Sequence, residues 1–342
     1  MFGRPTVLPT IVLATCTALF GGCAKSTAPP PPPRIALLVD AAGFSDGSYN
    51  AGAAAGLAAC AAVTGAQITR ATPSPDSDAE AQLTLLATEN FDEIVTVGNG
   101  MAVAVGIVAR KFETSHFAIV DGFVPAPNVV SIAFKDQDGS FLAGALAALA
   151  SHTKHVAFLG GADIPRLHAA EAGFAAGARE IDPHVRVSVA FVGSFLDKAQ
   201  GAAHAGALYD GGADVVYVVA GPAGLGALAE AKHRRNAYAI GADSNQDALA
   251  PGKVLTSVLK RVDHATERVC SETAGRKPAS GPIEMGLAEG GVSLTDFRFS
   301  KAVVGARTMA RLGRIEDAIV ARKIVPPATA AELASFRSVS VP

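Results

Sequence analysis

Short, continuous apolar runs alternate with longer helix-forming stretches from residue 34 to about residue 273, and this alternation restricts the possible folds more than any other feature of the chain. Ile35, Ala36, Leu37, Leu38 and Val39 follow one another without a polar position. Such a run suits a strand buried on both faces, whereas a strand with one wet face alternates apolar and polar residues. Asp40 ends it, a loop with Gly43, Asp46 and Gly47 follows, and an alanine-rich helix is predicted over 50–63. Further strands are predicted at 66–69, 93–97, 117–120 and 129–133, with helices over 76–89 and 101–111. A second cycle opens near Lys154, with strands at 155–159, 185–192, 215–219 and 237–240. Its helices are predicted over 165–180, over 198–210 and after Gly224.

Strand-helix-strand order selects parallel, doubly wound sheets, because parallel neighbours need a crossover that a helix supplies. Two such cycles make an α/β chain of two doubly wound lobes joined by a hinge. A strand at 254–259 recrosses the hinge and a helix over 263–273 lies beyond it, so neither lobe is contiguous in sequence. The expected division is 34–150 plus about 260–285 for the first lobe, and 151–259 plus about 286–342 for the second. The 342 residues are enough for two such cores. A net charge of −2 gives no basic surface for phosphates, so a nucleic-acid partner is set aside.

Residues 1–22 read as a targeting segment. Arg4 supplies the positive start, Ile11, Val12, Leu13, Leu19 and Phe20 the apolar stretch, and Gly21 and Gly22 lead into Cys23. The run is short and interrupted by Pro9, whereas a membrane span needs about 20 apolar residues. An apolar run ending in small residues and a cysteine resembles a bacterial lipobox, with Cys23 as the lipidated N-terminus. Phe20 stands where that motif usually has leucine, and a plain secretory signal with an incidental cysteine is the other reading. Five prolines, Pro29 to Pro33, close a 23–33 tether that favours an extended, semi-rigid spacer. Cys60 and Cys270 remain in a mature exported chain. Counting does not decide whether they pair, and burial as small apolar residues serves each equally well.

Catalytic motifs are missing. There is no GxSxG elbow, no HExxH and no CxxC, and Gly221, Gly224 and Gly226 lack the lysine and hydroxyl residue that end a phosphate loop. No catalytic residue, metal site or cofactor is therefore assigned. In doubly wound sheets, ligands bind beyond the carboxyl ends of the strands. There the chain presents Asp40, Ser48, Tyr49 and Asn50, then Gly98-Asn99-Gly100, then Asp121. The second cycle adds Phe195, the glycines Gly221 and Gly224, Asp243 and, after the recrossing strand, Lys260. Aromatic faces can stack on a flat heterocycle and carboxylates can accept from sugar hydroxyls.

These stretches carry a family resemblance. DAAGFSDGSYN (40–50), FAIVDG (117–122), SIAFKDQDGSFLAGALAAL (131–149), VAFLGG (156–161), GFAAGARE (173–180), VGSFLDKAQG (192–201), GGADVVYVVAGPAGLG (211–226), IGADSNQD (240–247), VLTSVLKRVD (254–263) and KIVPP (323–327) are similar to the basic membrane protein family. Its members are purine-nucleoside receptor lipoproteins of ABC transporters. The resemblance implies a periplasmic-binding-protein type I architecture, a purine nucleoside as ligand and a membrane permease as partner. It also implies a lipid-anchored, exported monomer that is not an enzyme.

By the same resemblance Tyr49 stacks on the base beside Asn50, Asp121 addresses base or ribose, and Tyr217 completes the stack, with Phe195 as a further aromatic. Gly221 and Gly224 let the backbone approach, while Asp243 and Lys260 reach the ribose. Ala41, Ala42 and Pro222 depart from the family pattern. They leave open a sugar or another nucleobase-like ligand, and a ligand sensor without a transporter is the further alternative. The aspartates can equally cap helices, and Tyr217 can equally be core, since it lies within an apolar strand.

Overall fold

The computed structural model describes residues 1–3, 31–40, 43–45, 49–73 and 78–341. Residues 4–30, with Cys23, lie outside the described residues, as do Ala41, Ala42 and Ser48. No helix among the described residues is long and apolar enough to cross a membrane.

The first half of the chain runs β1 (Arg34–Leu38), α1 (Tyr49–Thr64), β2 (Gln67–Ala71), α2 (Ala79–Thr88), β3 (Glu93–Val97), α3 (Ala102–Lys111), β4 (Phe117–Val120), β5 (Val129–Phe134) and α4 (Asp136–Ala150). The second cycle runs β6 (His155–Gly160), α5 (Pro165–Ile181), β7 (Arg186–Phe191), α6 (Lys198–Asp210), β8 (Val215–Val219), α7 (Gly221–His233), β9 (Tyr238–Asp243) and β10 (Val254–Lys260). It is followed by α8 (Val262–Ala274), β11 (Gly281–Met285), β12 (Val292–Leu294), α9 (Lys301–Val320) and α10 (Ala330–Ser335).

Two six-stranded sheets result, ordered β2-β1-β3-β4-β5-β11 and β7-β6-β8-β9-β10-β12. All neighbours are parallel except β10 and β12, which are antiparallel. The strands are buried as their continuous apolar runs require: every residue of β3, β4 and β6 is buried. The sequence offered no signal for β11 and β12. The first begins Gly281-Pro282 and the second has three residues, so neither carries an apolar run. Both close a sheet edge, where short strands and proline are tolerated.

The chain passes between the sheets after β5, after β10 and after β11. The passing segments are bonded to one another: Lys135 N–H donates to the Met285 carbonyl (3.1 Å) and Arg261 N–H to that of Gly291 (2.8 Å). One expected boundary needs correction. Helix α4 packs on α5 and on the β8, β10 and β12 side of the second sheet, so the first passage falls at Lys135 and not at residue 150. Glycines permit that packing. A Cβ on Gly144 would lie 1.9 Å from the Phe174 carbonyl oxygen, and one on Gly177 equally close to that of Phe141.

One buried carboxyl in the first lobe sets a pH dependence. Glu93, at the start of β3, is 1% exposed and Thr273 donates to one of its oxygens at 3.4 Å. Its other oxygen has no partner, and nor does one oxygen of the neighbouring Glu272. Burial, with the Glu272 charge adding to it, pushes the Glu93 pKa up to about 8. The folded protein therefore holds a proton that the unfolded chain releases near 4.5. This contribution to stability is complete below that value and is lost as pH rises through about 8. Glu93→Gln is expected to flatten the slope and to raise stability at pH 8.5 by roughly 2–4 kcal/mol. Urea unfolding at pH 5 and 8.5 measures it, and parallel pH profiles for variant and parent would contradict it.

Candidate functional site

The strand orders place a switch point in each lobe, between β1 and β3 in the first and between β6 and β8 in the second. Chains leaving adjacent strands there run in opposite directions and open a crevice. The loops after these strands surround a cavity of about 610 Å³. Tyr49, Asn99, Asp121, Phe123 and Phe134 line it from the first lobe, and Ile164, Arg166, Phe195, Gly221 and Asp243 from the second. Phe195 lies on a bare backbone, since a Cβ on Gly161 would come within 2.4 Å of its ring.

An ion network crosses this cleft. Asp121 follows β4 with a left-handed backbone (φ 60°), and its side chain is 8% exposed. Its Oδ2 accepts from the Tyr49 hydroxyl (2.9 Å) and from Nη1 of Arg166, while Oδ1 lies 3.5 Å from Lys260 Nζ. Lys260 also contacts Asp136, at the start of α4, at 2.9 Å, and Arg166 Nε lies 3.8 Å from that carboxylate. Its ammonium sits 5.8 Å from the Tyr49 ring centre and 5.5 Å from that of Phe134, within cation–π range.

The electrostatics follow from this geometry. Burial works against the charge on Asp121, but Lys260 and Arg166 outweigh it and hold its carboxyl below the usual range. Burial likewise opposes the charge on Lys260, yet Asp136, Tyr49 and Asp121 push its pKa well up. Burial raises the Tyr49 phenol, which stays neutral. Two cations thus answer two carboxylates.

Asp243 is the fifth charged group. It is the last residue of β9, its backbone is left-handed (φ 67°), and its side chain makes no hydrogen bond among the described residues. Burial raises its pKa and Lys260 only partly offsets this. Non-glycine residues held at positive φ carry strain that surrounding structure must maintain, and such strain concentrates at functional sites.

Of the residues singled out from sequence, Tyr49, Asp121, Phe195, Gly221 and Asp243 line the cavity, and Lys260 lines a small recess behind it together with Asp243. The other described ones do not line the main cavity. Asn50 is buried and donates to Asp40 Oδ1 (2.8 Å) and to the Gly43 carbonyl (2.9 Å), so this pair shapes the loop after β1. Tyr217 lines the same recess as Lys260 and Asp243, and it is also packed into the core: it is 2% exposed, stacked on Phe174 at 5.6 Å and bonded to Ser140 at 3.2 Å. Gly224 lies in the first turn of α7, where a Cβ would press on Val218 at 2.9 Å, so its smallness serves packing.

Arg166, Asp136, Phe134 and Phe123 escaped the sequence reading. A signal for Arg166 was present, since it follows β6, one of the two strands at the second switch point. Phe134 ends β5 in the same way.

Residues 33–329 match the family described as "ABC transporter substrate-binding protein PnrA-like". The chain is 31% identical over 286 residues to the CD4+ T-cell-stimulating antigen of Listeria innocua, covering 77% of this chain and 80% of that one. It is 29% identical over 283 residues to the ABC transporter nucleoside-binding protein BmpA of Lactococcus lactis, covering 76% and 81%. Among solved structures, an ABC transporter solute-binding protein of Aeropyrum pernix superposes with a TM-score of 0.74 at 23% identity, covering 89% of this chain and 96% of that one.

Proposed function

The chain belongs to the PnrA-like family of ABC transporter substrate-binding proteins, and on that premise we propose that it captures a purine nucleoside in the cleft and delivers it to a membrane permease. Asp243 carries this reading: an unpartnered carboxylate at the edge of a cavity lined by Tyr49, Phe123, Phe134 and Phe195. An aromatic wall takes the face of a base, and a free carboxylate takes two ribose hydroxyls. Tyr49 is the base platform, while Asp121, Asp136, Lys260 and Arg166 hold it and the two lobes in place. The passages at Lys135, Arg261 and 286–291 serve as the hinge, and a ligand touching both lobes favours the shut state. The nucleoside-binding relative at 29% identity supports this choice of ligand. In the same reading the first 22 residues are removed on export, and Cys23 carries the lipid that anchors the protein through its proline tether, facing the periplasm or exterior.

A thermal-shift series against purine and pyrimidine nucleosides, free bases and simple sugars tests the ligand. A purine nucleoside at a hundredfold excess over its Kd is expected to stabilise the protein by about 3 kcal/mol. A rise with sugars alone would keep the family and remove the nucleoside. Tyr49→Ala is expected to weaken nucleoside binding roughly 5- to 150-fold, the worth of one base–aromatic stack. Unchanged affinity would take the platform role away from Tyr49.

A further inference from the structure

The polar side chains around the cavity are not equally available. The Tyr49 hydroxyl is donated to Asp121, and both oxygens of Asp121 are engaged by Tyr49, Arg166 and Lys260. Asn99 is exposed, and its amide can turn to present either a donor or an acceptor. Asp243 only accepts. Arg166 is the one cation among the described residues lining the cavity, and it only donates. Its Nη1 reaches Asp121 and its Nε faces Asp136, while no acceptor meets its Nη2 among the described residues. The side chain remains 44% exposed and lines both the main cavity and the recess behind it. Two carboxylates therefore hold a guanidinium that lines the cavity and keeps N–H groups unused among the described residues.

We propose that Arg166 reads the edge of the base and makes this cleft selective for 6-oxopurine nucleosides, guanosine and inosine, over adenosine. The inference rests on the nucleoside reading above. The relevant edge of guanine offers two acceptors, N7 and O6, which a guanidinium meets with two parallel N–H bonds. Adenine offers the N7 acceptor beside the N6 amino donor. Arginine has no acceptor and does not lose its proton in proteins, so one of its N–H groups would face another donor. The carboxylates that hold the fork make the mismatch harder to relieve, because turning the guanidinium away would cost Asp121 one of its two cations and leave only Lys260 to answer it. A lysine would supply the same charge without the fork.

Titration calorimetry on the purified protein with inosine, adenosine, guanosine and 7-deazaguanosine tests this. Inosine is expected to bind roughly 5- to 150-fold more tightly than adenosine, the discrimination one bidentate arginine contact provides. Guanosine is expected to bind more tightly than its 7-deaza analogue. Arg166→Met should bring both ratios close to one. Arg166 also ties the lobes together, so its loss can weaken every ligand, but a ratio between two ligands cancels that common effect. Arg166→Lys, which keeps a cation beside Asp121, should lose the ratios as well. If the parent binds adenosine as tightly as inosine, the selectivity falls and the nucleoside reading stands. If the ratios survive in both variants, another group reads the base and the proposal is wrong. If no nucleoside binds the parent protein, both readings fall together.

Discussion

Asp243→Ala is expected to weaken purine-nucleoside binding at least about a hundredfold while leaving the ligand-free protein as stable as its parent, or more so. The first half follows from the unspent hydrogen-bonding capacity of this carboxylate at the cavity. Two charge-assisted bonds to ribose hydroxyls contribute about 3 kcal/mol or more, and that is roughly a hundredfold in Kd. The second half follows from the same isolation. Burial raises the pKa of Asp243, so the folded state favours its protonated form. Stability from such a group is present below its unfolded pKa and is lost as pH rises through the folded value, so at neutral pH the ionised carboxylate destabilises the empty protein. Asp243→Asn removes that penalty while keeping the shape, and should raise the unfolding midpoint at pH 7 with little effect at pH 3. Parent affinity should decline on acidification as the carboxylate titrates, and the asparagine variant should lose that dependence. Calorimetry and urea unfolding on the same samples read both halves. Affinity within a few-fold of the parent would move the ribose away from Asp243. Lost affinity together with lost stability would make the residue structural.

The architecture was largely legible because buried parallel strands write themselves as unbroken apolar runs. Ile35 to Val39 and Phe117 to Val120 have no exposed residue in the structure, and each lies where its run predicts. The elements that escaped are those whose burial is partial or borrowed. Strand β12 is only three residues long, and β11, on a sheet edge, alternates half-buried and exposed positions with only its last residue buried. The N-terminal half of α4 is buried almost all round, and nothing in its own composition says which sheet covers it.

The site divides along similar lines. Looking beyond strand ends found Tyr49, Asp121, Phe195 and Asp243, because topology puts such residues at the crevice whatever their partners. Tyr217 reaches only the recess and not the main cavity, for a geometric reason. That residue lies two positions before the end of β8, and a side chain there stands perpendicular to the sheet, so its ring meets Phe174 and Phe158 in the core. Asn50 is next to Tyr49 on a helix, about 100° further round, and so faces the loop instead of the cavity. The ion network was out of reach for another reason. Asp121, Asp136, Arg166 and Lys260 are separated by 15 to 139 positions, and pairings that join two lobes across a cleft leave no local pattern.

The largest expected effect on stability belongs to a covalent bond that residue counting left open. Cys60 in α1 and Cys270 in α8 form a disulfide across 210 positions, both sulfur-bearing residues being buried. The helices already touch backbone to backbone there: a Cβ on Gly56 would lie 2.0 Å from the Asp263 carbonyl oxygen, and the Thr266 hydroxyl donates to the Ala53 carbonyl at 3.0 Å. The bridge therefore adds little new contact in the folded state and acts mainly by restricting the unfolded chain. Because α8 follows the return from the second sheet, the closed loop contains that entire sheet except β12. On the chain-entropy account, a loop of this length contributes about 5 kcal/mol. Cys60→Ala, Cys270→Ala and the double variant are each expected to lose about that much in urea unfolding, the three losses being nearly equal because any one of them removes the whole bond. Adding a thiol-free reductant should bring the parent to the same midpoint and leave the double variant unmoved. A reductant shift below about 1 kcal/mol would mean that the cross-link does not restrain the unfolded ensemble. Free-thiol counting on protein recovered from an oxidising compartment and from the cytosol joins this test to the export reading, since such a bond forms and persists in the former and is reduced in the latter.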